Sequence, residues 1–380
     1  MHNGMKLEEM LAEVVRHSET KIDFLADTSE HIAMVPMPDF DDGVALVLQK
    51  EASSVLERFS ITDNCHKQIA SRLKIPMTYY KRLLQDHKEM VIENVNGLFR
   101  REPALRMVRT LDGKARAFLS RQYRRVDNEQ ILEATLPVIN QDFDTTILNT
   151  WVDENRLRFK CLFNGPEHEV NVGPTARRPQ GEILHAGFEM GNSEVGKSTF
   201  YIRGFLYNGF CLNGQVYGTT ETMALKQVHI GSKLGLTDDL VLSEDTQRKE
   251  DDLIISAARD VLVHLSSPDF TKKVGERVAM LRGTKAVKDP HAAVEAITKE
   301  LRLSDVESKG VLESFIRDQD YTQWGMVNAV TEQANPVNRL GATRDVSYPR
   351  ASKIEEMGNK IINLPANRWN RIAETVAIAA

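Results

Sequence analysis

Asp112-Gly113 stands between two runs of strand-forming residues, Leu105–Leu111 and Lys114–Arg121, and this arrangement constrains the chain more than any other stretch. An Asp-Gly pair tolerates the positive φ angles of a tight hairpin turn, whose twist matches that of antiparallel strands. A second hairpin is expected where Thr145–Val152 and Arg156–Phe163 flank Asp153-Glu154-Asn155. Glu182–Met190, Thr199–Asn208 and Gln215–Thr220 also read as strands. Hairpins without regular strand–helix–strand alternation predict an α+β fold, with a largely antiparallel sheet and flanking helices.

Helical signals surround this region. Leu7, Met10, Leu11, Val14 and Val15 give the N-terminus an amphipathic helix, and no apolar stretch of a secretory signal precedes it. Residues 20–45 are polar and turn-rich and read as a connector, with Val44–Leu48 a short strand after it. Thr62 or Asp63 caps a helix to Leu73, Pro76 opens another through Leu84, and a third runs from about Glu89 to Phe99. A helix over Asn128–Ile139 follows Asp127. From Ser243 onward the pattern is helical throughout, with Asp289-Pro290 as a cap and first-turn proline. Three regions are therefore expected: residues 1–43 as helix and connector, 44–236 as an α+β core, and 237–380 as an all-helical region.

The hairpin is also the most basic part of the chain. Arg100–Arg125 holds nine basic and two acidic residues, a charge of +7, so the remainder carries −12 of the net −5. Strict pairing about Asp112-Gly113 would set Leu111 opposite Lys114, Arg109 opposite Arg116 and Met107 opposite Phe118. Like charges placed opposite each other are destabilising, and a carboxylate or a phosphate between them would relieve the repulsion. Arginine suits bidentate phosphate contact, and a base can stack on an aromatic ring beside it. The expected nucleic-acid contacts are thus Arg106, Arg109, Lys114 and Arg116, then Arg121, Arg124 and Arg125, with Phe118 and Tyr123 as stacking rings. The competing reading is a solvated face, or one neutralised by the acidic remainder of the chain.

Gly191-Asn-Ser-Glu-Val-Gly196-Lys197-Ser198 matches the Walker A pattern. A true phosphate loop runs from a strand into a helix, whose N-terminus holds the phosphates. The following Thr199-Phe-Tyr-Ile-Arg-Gly-Phe-Leu-Tyr is aromatic and β-branched, so a strand is expected there and the match reads as accidental. A P-loop-like ATPase using Gly191, Gly196, Lys197 and Ser198 stays as an alternative. Gln68–Leu84 resembles a helix-turn-helix, with Tyr79, Lys81 and Arg82 near a recognition face and Lys74 where glycine is common.

No HExxH, GxSxG or CxxC pattern occurs, so neither catalytic residues nor a metal site is expected, and no cofactor. Cys65, Cys161 and Cys211 are isolated, which suits a reducing compartment. No run of 18 apolar residues exists, so no membrane span is expected.

The order of several motifs resembles a phage and plasmid family known only as a domain of unknown function. They are Leu73-Lys-Ile-Pro76, Val108-Arg-Thr-Leu-Asp-Gly113, Ser120-Arg-Gln-Tyr-Arg-Arg125, Asn192-Ser-Glu-Val-Gly196 and Cys211-Leu-Asn-Gly214. The resemblance spans residues 45–330 and implies a mobile-element protein of a bacterial cytoplasm, without catalytic residues to carry over. With the basic hairpin it gives the expectation of a single-stranded DNA-binding or annealing protein, as an oligomer. A non-enzymatic protein that binds a host factor is the other expectation.

Overall fold

The computed structural model describes residues 5–49, 55–142, 144–174, 180–208, 213–215, 225–227, 243–334, 346 and 348–376. The fold is α+β, with two mainly antiparallel sheets.

The first sheet contains β1 (Ile22–Asp27), β2 (Ile32–Pro36), β3 (Val44–Gln49), β4 (Leu56–Ile61), β5 (Leu105–Leu111) and β6 (Lys114–Ser120). Their order is β1-β5-β6-β4-β3-β2, and only the β4–β6 pair is parallel. Between β4 and β5 the chain forms α2 (Asp63–Arg72), α3 (Met77–Asp86) and α4 (Lys88–Arg101). Thr62 caps α2 by accepting the Cys65 amide, and Lys74 takes the left-handed conformation (φ 55°) that ends it. Tyr80, Leu83, Val91, Val95 and Phe99 bury the apolar faces of α3 and α4 against Phe118 and Leu46 of the sheet.

The second sheet has a main path β12-β11-β10-β8-β7. These are β7 (Thr145–Val152), β8 (Leu157–Phe163), β10 (Glu182–Asn192), β11 (Phe200–Asn208) and β12 (Asn213–Gln215). β9 (Glu169–Val172) adds to β10 and β13 (Leu225–Gln227) to β11. α1 (Leu7–Thr20), α5 (Asn128–Asp142) and α6 (Glu244–Leu265) pack on it, and Ser243 caps α6.

Among the described residues six α-helices follow: α7 (Pro268–Arg282), α8 (Pro290–Leu301), α9 (Asp305–Asp318), α10 (Gln323–Thr331), α11 (Tyr348–Ile362) and α12 (Ala366–Glu374). Ser267, Asp289, Ser304 and Thr322 each cap the next helix with a side-chain oxygen. One continuous apolar core joins these helices to the second sheet, including Phe159, Phe188, Ile202, Val274, Trp324, Ile354 and Trp369. Residues 22–36 are not a connector but two strands of the first sheet, and the helical region shares its core with the second sheet. The first sheet ends with β6 and the second begins with β7. The expected break near 237 lies outside the described residues, as do Cys211 and most of the strand expected at Gln215–Thr220.

Among the described residues no helix is long and apolar enough to cross a membrane, and no group of His, Cys, Asp or Glu is arranged to hold a metal ion.

Candidate functional site

The hairpin forms where expected, but with a different register. Leu111 faces Lys114, then Thr110 faces Ala115, Arg109 faces Ala117 and Val108 faces Phe118. A bulge at Arg116 adds one residue to β6 and shifts the pairing beyond it, so Arg109 and Arg116 are not directly opposed. Met107 faces Leu119 rather than Phe118.

Both arginines are inside the protein, at 0% and 2% exposure. Arg109 pairs across the β1–β5 ladder with Asp23, its Nε donating to Oδ1 at 2.9 Å. Its Nη2 donates to Asp127 Oδ1 at 2.7 Å and its Nη1 to the Glu194 carbonyl at 3.1 Å. Arg116 Nη2 donates to Glu194 Oε2 at 2.6 Å, and Nη1 to the Glu154 carbonyl at 3.2 Å. Lys21 Nζ donates to Asp127 Oδ2 at 2.8 Å and lies 3.5 Å from Glu194 Oε1. The Asn128 amide also donates to Glu194 Oε1, at 2.9 Å. Three cations therefore meet three carboxylates, and the like charges are neutralised from within.

Glu194 comes from the turn between β10 and β11, in the Asn192–Gly196 motif. That turn is an inter-sheet clasp. Asn64 and Gln68 of α2 donate to the Val195 carbonyl at 3.2 and 2.8 Å. Tyr123 donates its hydroxyl hydrogen to the Ser193 carbonyl at 2.9 Å and accepts the Gly196 amide at 3.1 Å. Val195 itself is fully buried among Met107, Ala117, Leu119 and Tyr123. Burying such a side chain contributes roughly 1.5–3 kcal/mol.

These contacts also dispose of the phosphate loop. A strand, β11, follows the turn where a phosphate loop would lead into a helix. The Val195 and Lys197 amides donate to Ser193 Oγ, and the Gly196 amide is held by Tyr123. Both motif glycines have other reasons to be there. A Cβ on Gly191 would meet the Tyr201 ring at 2.5–2.6 Å, and Gly196 has φ +76°. Gly196, Lys197 and Ser198 thus belong to the turn of a β-hairpin, and Gly191 to its strand β10.

Burial alone would raise the Glu194 carboxyl, but Arg109, Arg116 and Lys21 outweigh it and hold the pKa at about 2, against 4.5 in the unfolded chain. The stabilisation is fully present above 4.5 and is lost as the pH falls through about 2. Its size is on the order of 3 kcal/mol. Urea titrations across this window should show wild-type stability falling more steeply than that of Glu194→Gln.

The other expected contact residues divide into buried and exposed sets. Phe118 and Tyr123 are buried, Phe118 stacking on Phe99 at 5.6 Å, so neither ring is open to a base. Arg106 lies over the Phe118 ring at 5.1 Å, and burial together with Arg72 lowers its pKa to about 10. Arg124 is bound by Glu250 at 2.7 Å. Lys114, Arg121 and Arg125 are exposed. Tyr79, Lys81 and Arg82 of the helix-turn-helix-like segment are exposed on α3, and Lys81 Nζ lies 3.3 Å from Asp63.

Sequence reasoning missed a basic group at the same joint. Lys67 of α2, Arg156 at the start of β8 and Lys197 of the clasp turn come together. Burial lowers the Lys197 pKa, and the charges of Lys67 and Arg156 lower it further, while Asp63 and Asp153 oppose the shift. Arg156 Nη2 reaches the Lys197 carbonyl at 3.4 Å. Lys67 also pairs with Asp63 within α2. The signal available in sequence was Lys197 itself, set aside along with the phosphate-loop reading.

A second buried charge cluster lies within the second sheet. Glu189 is the cross-strand partner of both Lys160 and Arg203. It also pairs with Arg158 and accepts the Tyr201 hydroxyl hydrogen at 2.7 Å. Glu355 of α11 accepts from Arg158 at 2.6 Å and from Lys160 at 2.9 Å. Its position between sheet and helix makes it a tether of α11.

No family profile, curated protein or solved structure matches this chain.

Proposed function

We propose that the protein binds single-stranded nucleic acid along the partly exposed basic rim of the inter-sheet joint, where Lys67 is exposed and Arg156 and Lys197 are half-buried, and not across the face of the hairpin. The observation that carries this reading is the gathering of Lys67, Arg156 and Lys197 from three separate segments, with Arg156 Nη2 3.4 Å from the Lys197 carbonyl; burial, and then the charges of Lys67 and Arg156, lower the Lys197 pKa there. Asp63 and Asp153 offset only part of that repulsion, and an incoming phosphate oxygen would offset more. Lys114, Arg121 and Arg125 extend the basic surface of the neighbouring hairpin. The buried rings argue for backbone contact with little base stacking, hence weak sequence preference. The resemblance to phage and plasmid proteins favours the same reading, as an accessory of recombination or replication.

Fluorescence anisotropy with labelled single-stranded and duplex oligonucleotides at two salt concentrations tests it. The expected result is binding that favours the single strand, with a log–log salt slope of about −0.7 per phosphate neutralised. Replacing Lys67, Arg156 and Lys197 together by alanine should make the slope shallower by about 2. Absence of salt-dependent binding at micromolar protein overturns the proposal and favours a protein partner.

A further inference from the structure

The end of the β5–β6 hairpin away from Asp112-Gly113 holds a cation without a counter-charge. Arg106 of β5 faces Ser120, the last residue of β6. It is half-buried, and its guanidinium carbon lies 5.1 Å from the centre of the Phe118 ring. Its hydrogen bond within the protein is weak, Nη2 reaching the Phe118 carbonyl at 3.5 Å. Among the described residues no carboxylate pairs with it, and the charge that acts on it is another cation, Arg72. The more deeply buried Arg109, Arg116, Arg158 and Arg203 each hold a carboxylate. A partly desolvated charge with no such partner is costly.

Arg72 comes from the last turn of α2. Gln68, one turn earlier on the same face of that helix, accepts the Phe118 amide at 2.7 Å, which sets Arg72 beside the Arg106–Phe118 stack. Glu102, just past the end of α4, holds Arg72 loosely, its carboxylate at 3.4 Å and its carbonyl at 3.5 Å. Glu102 does not reach Arg106. Arg100 and Arg101, exposed in the last turn of α4, add to the positive field at this corner. Burial, and then the charge of Arg72, lower the Arg106 pKa to about 10.

We propose that the corner between Arg72 and Arg106 binds a phosphate group. The Phe118 ring fixes the plane of the Arg106 guanidinium, and Arg72 offers a second fork from a different element. A tetrahedral phosphate can bridge two such forks, whereas a planar carboxylate fills one, as Glu102 does. The phosphate displaces Glu102 from Arg72 and supplies the counter-charge that Arg106 lacks. The site does not rest on nucleic-acid binding at the Lys67–Lys197 rim, and its phosphate can belong to a small ligand or to a nucleic-acid backbone.

Isothermal calorimetry on the full chain with inorganic phosphate tests it, with acetate as the control anion and ionic strength held constant with sodium chloride. The expected result is saturable heat with phosphate and little with acetate. Arg106→Met should weaken phosphate binding by about tenfold or more, and Arg106→Lys, which keeps the charge but loses the fork, should fall between. Glu102→Gln should tighten binding by about threefold, because the competing carboxylate is gone. The Glu102 side chain is 51% exposed, so this variant keeps the test open even where Arg106→Met fails to fold. A single-stranded oligothymidylate titrated in parallel separates the two sources. Loss of both ligands in Arg106→Met supports a backbone phosphate at the corner, and loss of inorganic phosphate alone supports a small phosphorylated ligand. No saturable heat with phosphate at millimolar concentration, or phosphate binding unchanged in both Arg106→Met and Glu102→Gln, overturns the proposal.

Discussion

Glu194→Ala should cost about 3–5 kcal/mol of unfolding free energy, the range for removing one partner of a buried ion pair. The variant leaves Arg116, 2% exposed, without its carboxylate, and the Asn128 amide without its acceptor. It also removes one of the charges that hold Arg109 protonated. Small domains have margins of about 5–15 kcal/mol, so the loss takes a large fraction of total stability. Urea unfolding followed by circular dichroism reads it. Glu194→Gln keeps an acceptor for Asn128 and should fall between the alanine variant and wild type. A change below about 1 kcal/mol in the alanine variant would mean that the charges at the joint are far better solvated than their burial implies.

The second large effect is expected at Glu189. Glu189→Ala leaves Arg158, Lys160 and Arg203 with Glu355 as their remaining carboxylate among the described residues, and Tyr201 without an acceptor. The loss should again be about 3–5 kcal/mol. This cluster differs from the first in containing a group that can discharge. Burial, and then Arg158, already lower the Lys160 pKa. Removing Glu189 lowers it further, since a favourable charge disappears. The folded variant then sheds the Lys160 proton more readily than the unfolded chain does. Its deficit relative to wild type should shrink between neutral and mildly alkaline pH, as thermal unfolding at the two conditions would show. A deficit independent of pH would place the whole effect in lost packing and hydrogen bonds.

The local elements were legible because each has a local cause. Asp112-Gly113 made the hairpin, Thr62, Ser243 and Asp289 started helices, and the aromatic run after Ser198 marked a strand. The register was not legible, because a bulge leaves the alternation of side chains intact on each side of it and only shifts their pairing. The burial of Arg109 and Arg116 was not legible either. Period-two alternation gives the same charged face whether solvent or a carboxylate covers it. The three carboxylates lie at positions 23, 127 and 194, far apart in the chain, and only folding brings them together. Asp23 went unnoticed because Ile22–Asp27 is short and acidic at both ends, unlike a central strand. The Glu189 cluster did leave a trace in the sequence. Arg158 and Lys160 alternate on β8, and Glu189 sits between Phe188 and Met190 in an otherwise apolar strand. A charge at a core position of a strand demands a partner across the ladder.

The central claim is that the basic hairpin is an internal joint, neutralised by the turn that carries Glu194. A double-mutant cycle on Arg116 and Glu194 tests it most directly, with Arg116→Met, Glu194→Leu and the double variant compared by urea unfolding. Glu194→Leu leaves Arg116 buried without a carboxylate, and Arg116→Met leaves Glu194 with the more distant Lys21, at 3.5 Å, whereas the double change removes both charges together. The predicted result is a double variant more stable than Glu194→Leu alone, with a coupling energy of about 2 kcal/mol or more. Additive losses, with Arg116→Met close to wild type, would contradict the account and return Arg116 to the protein surface.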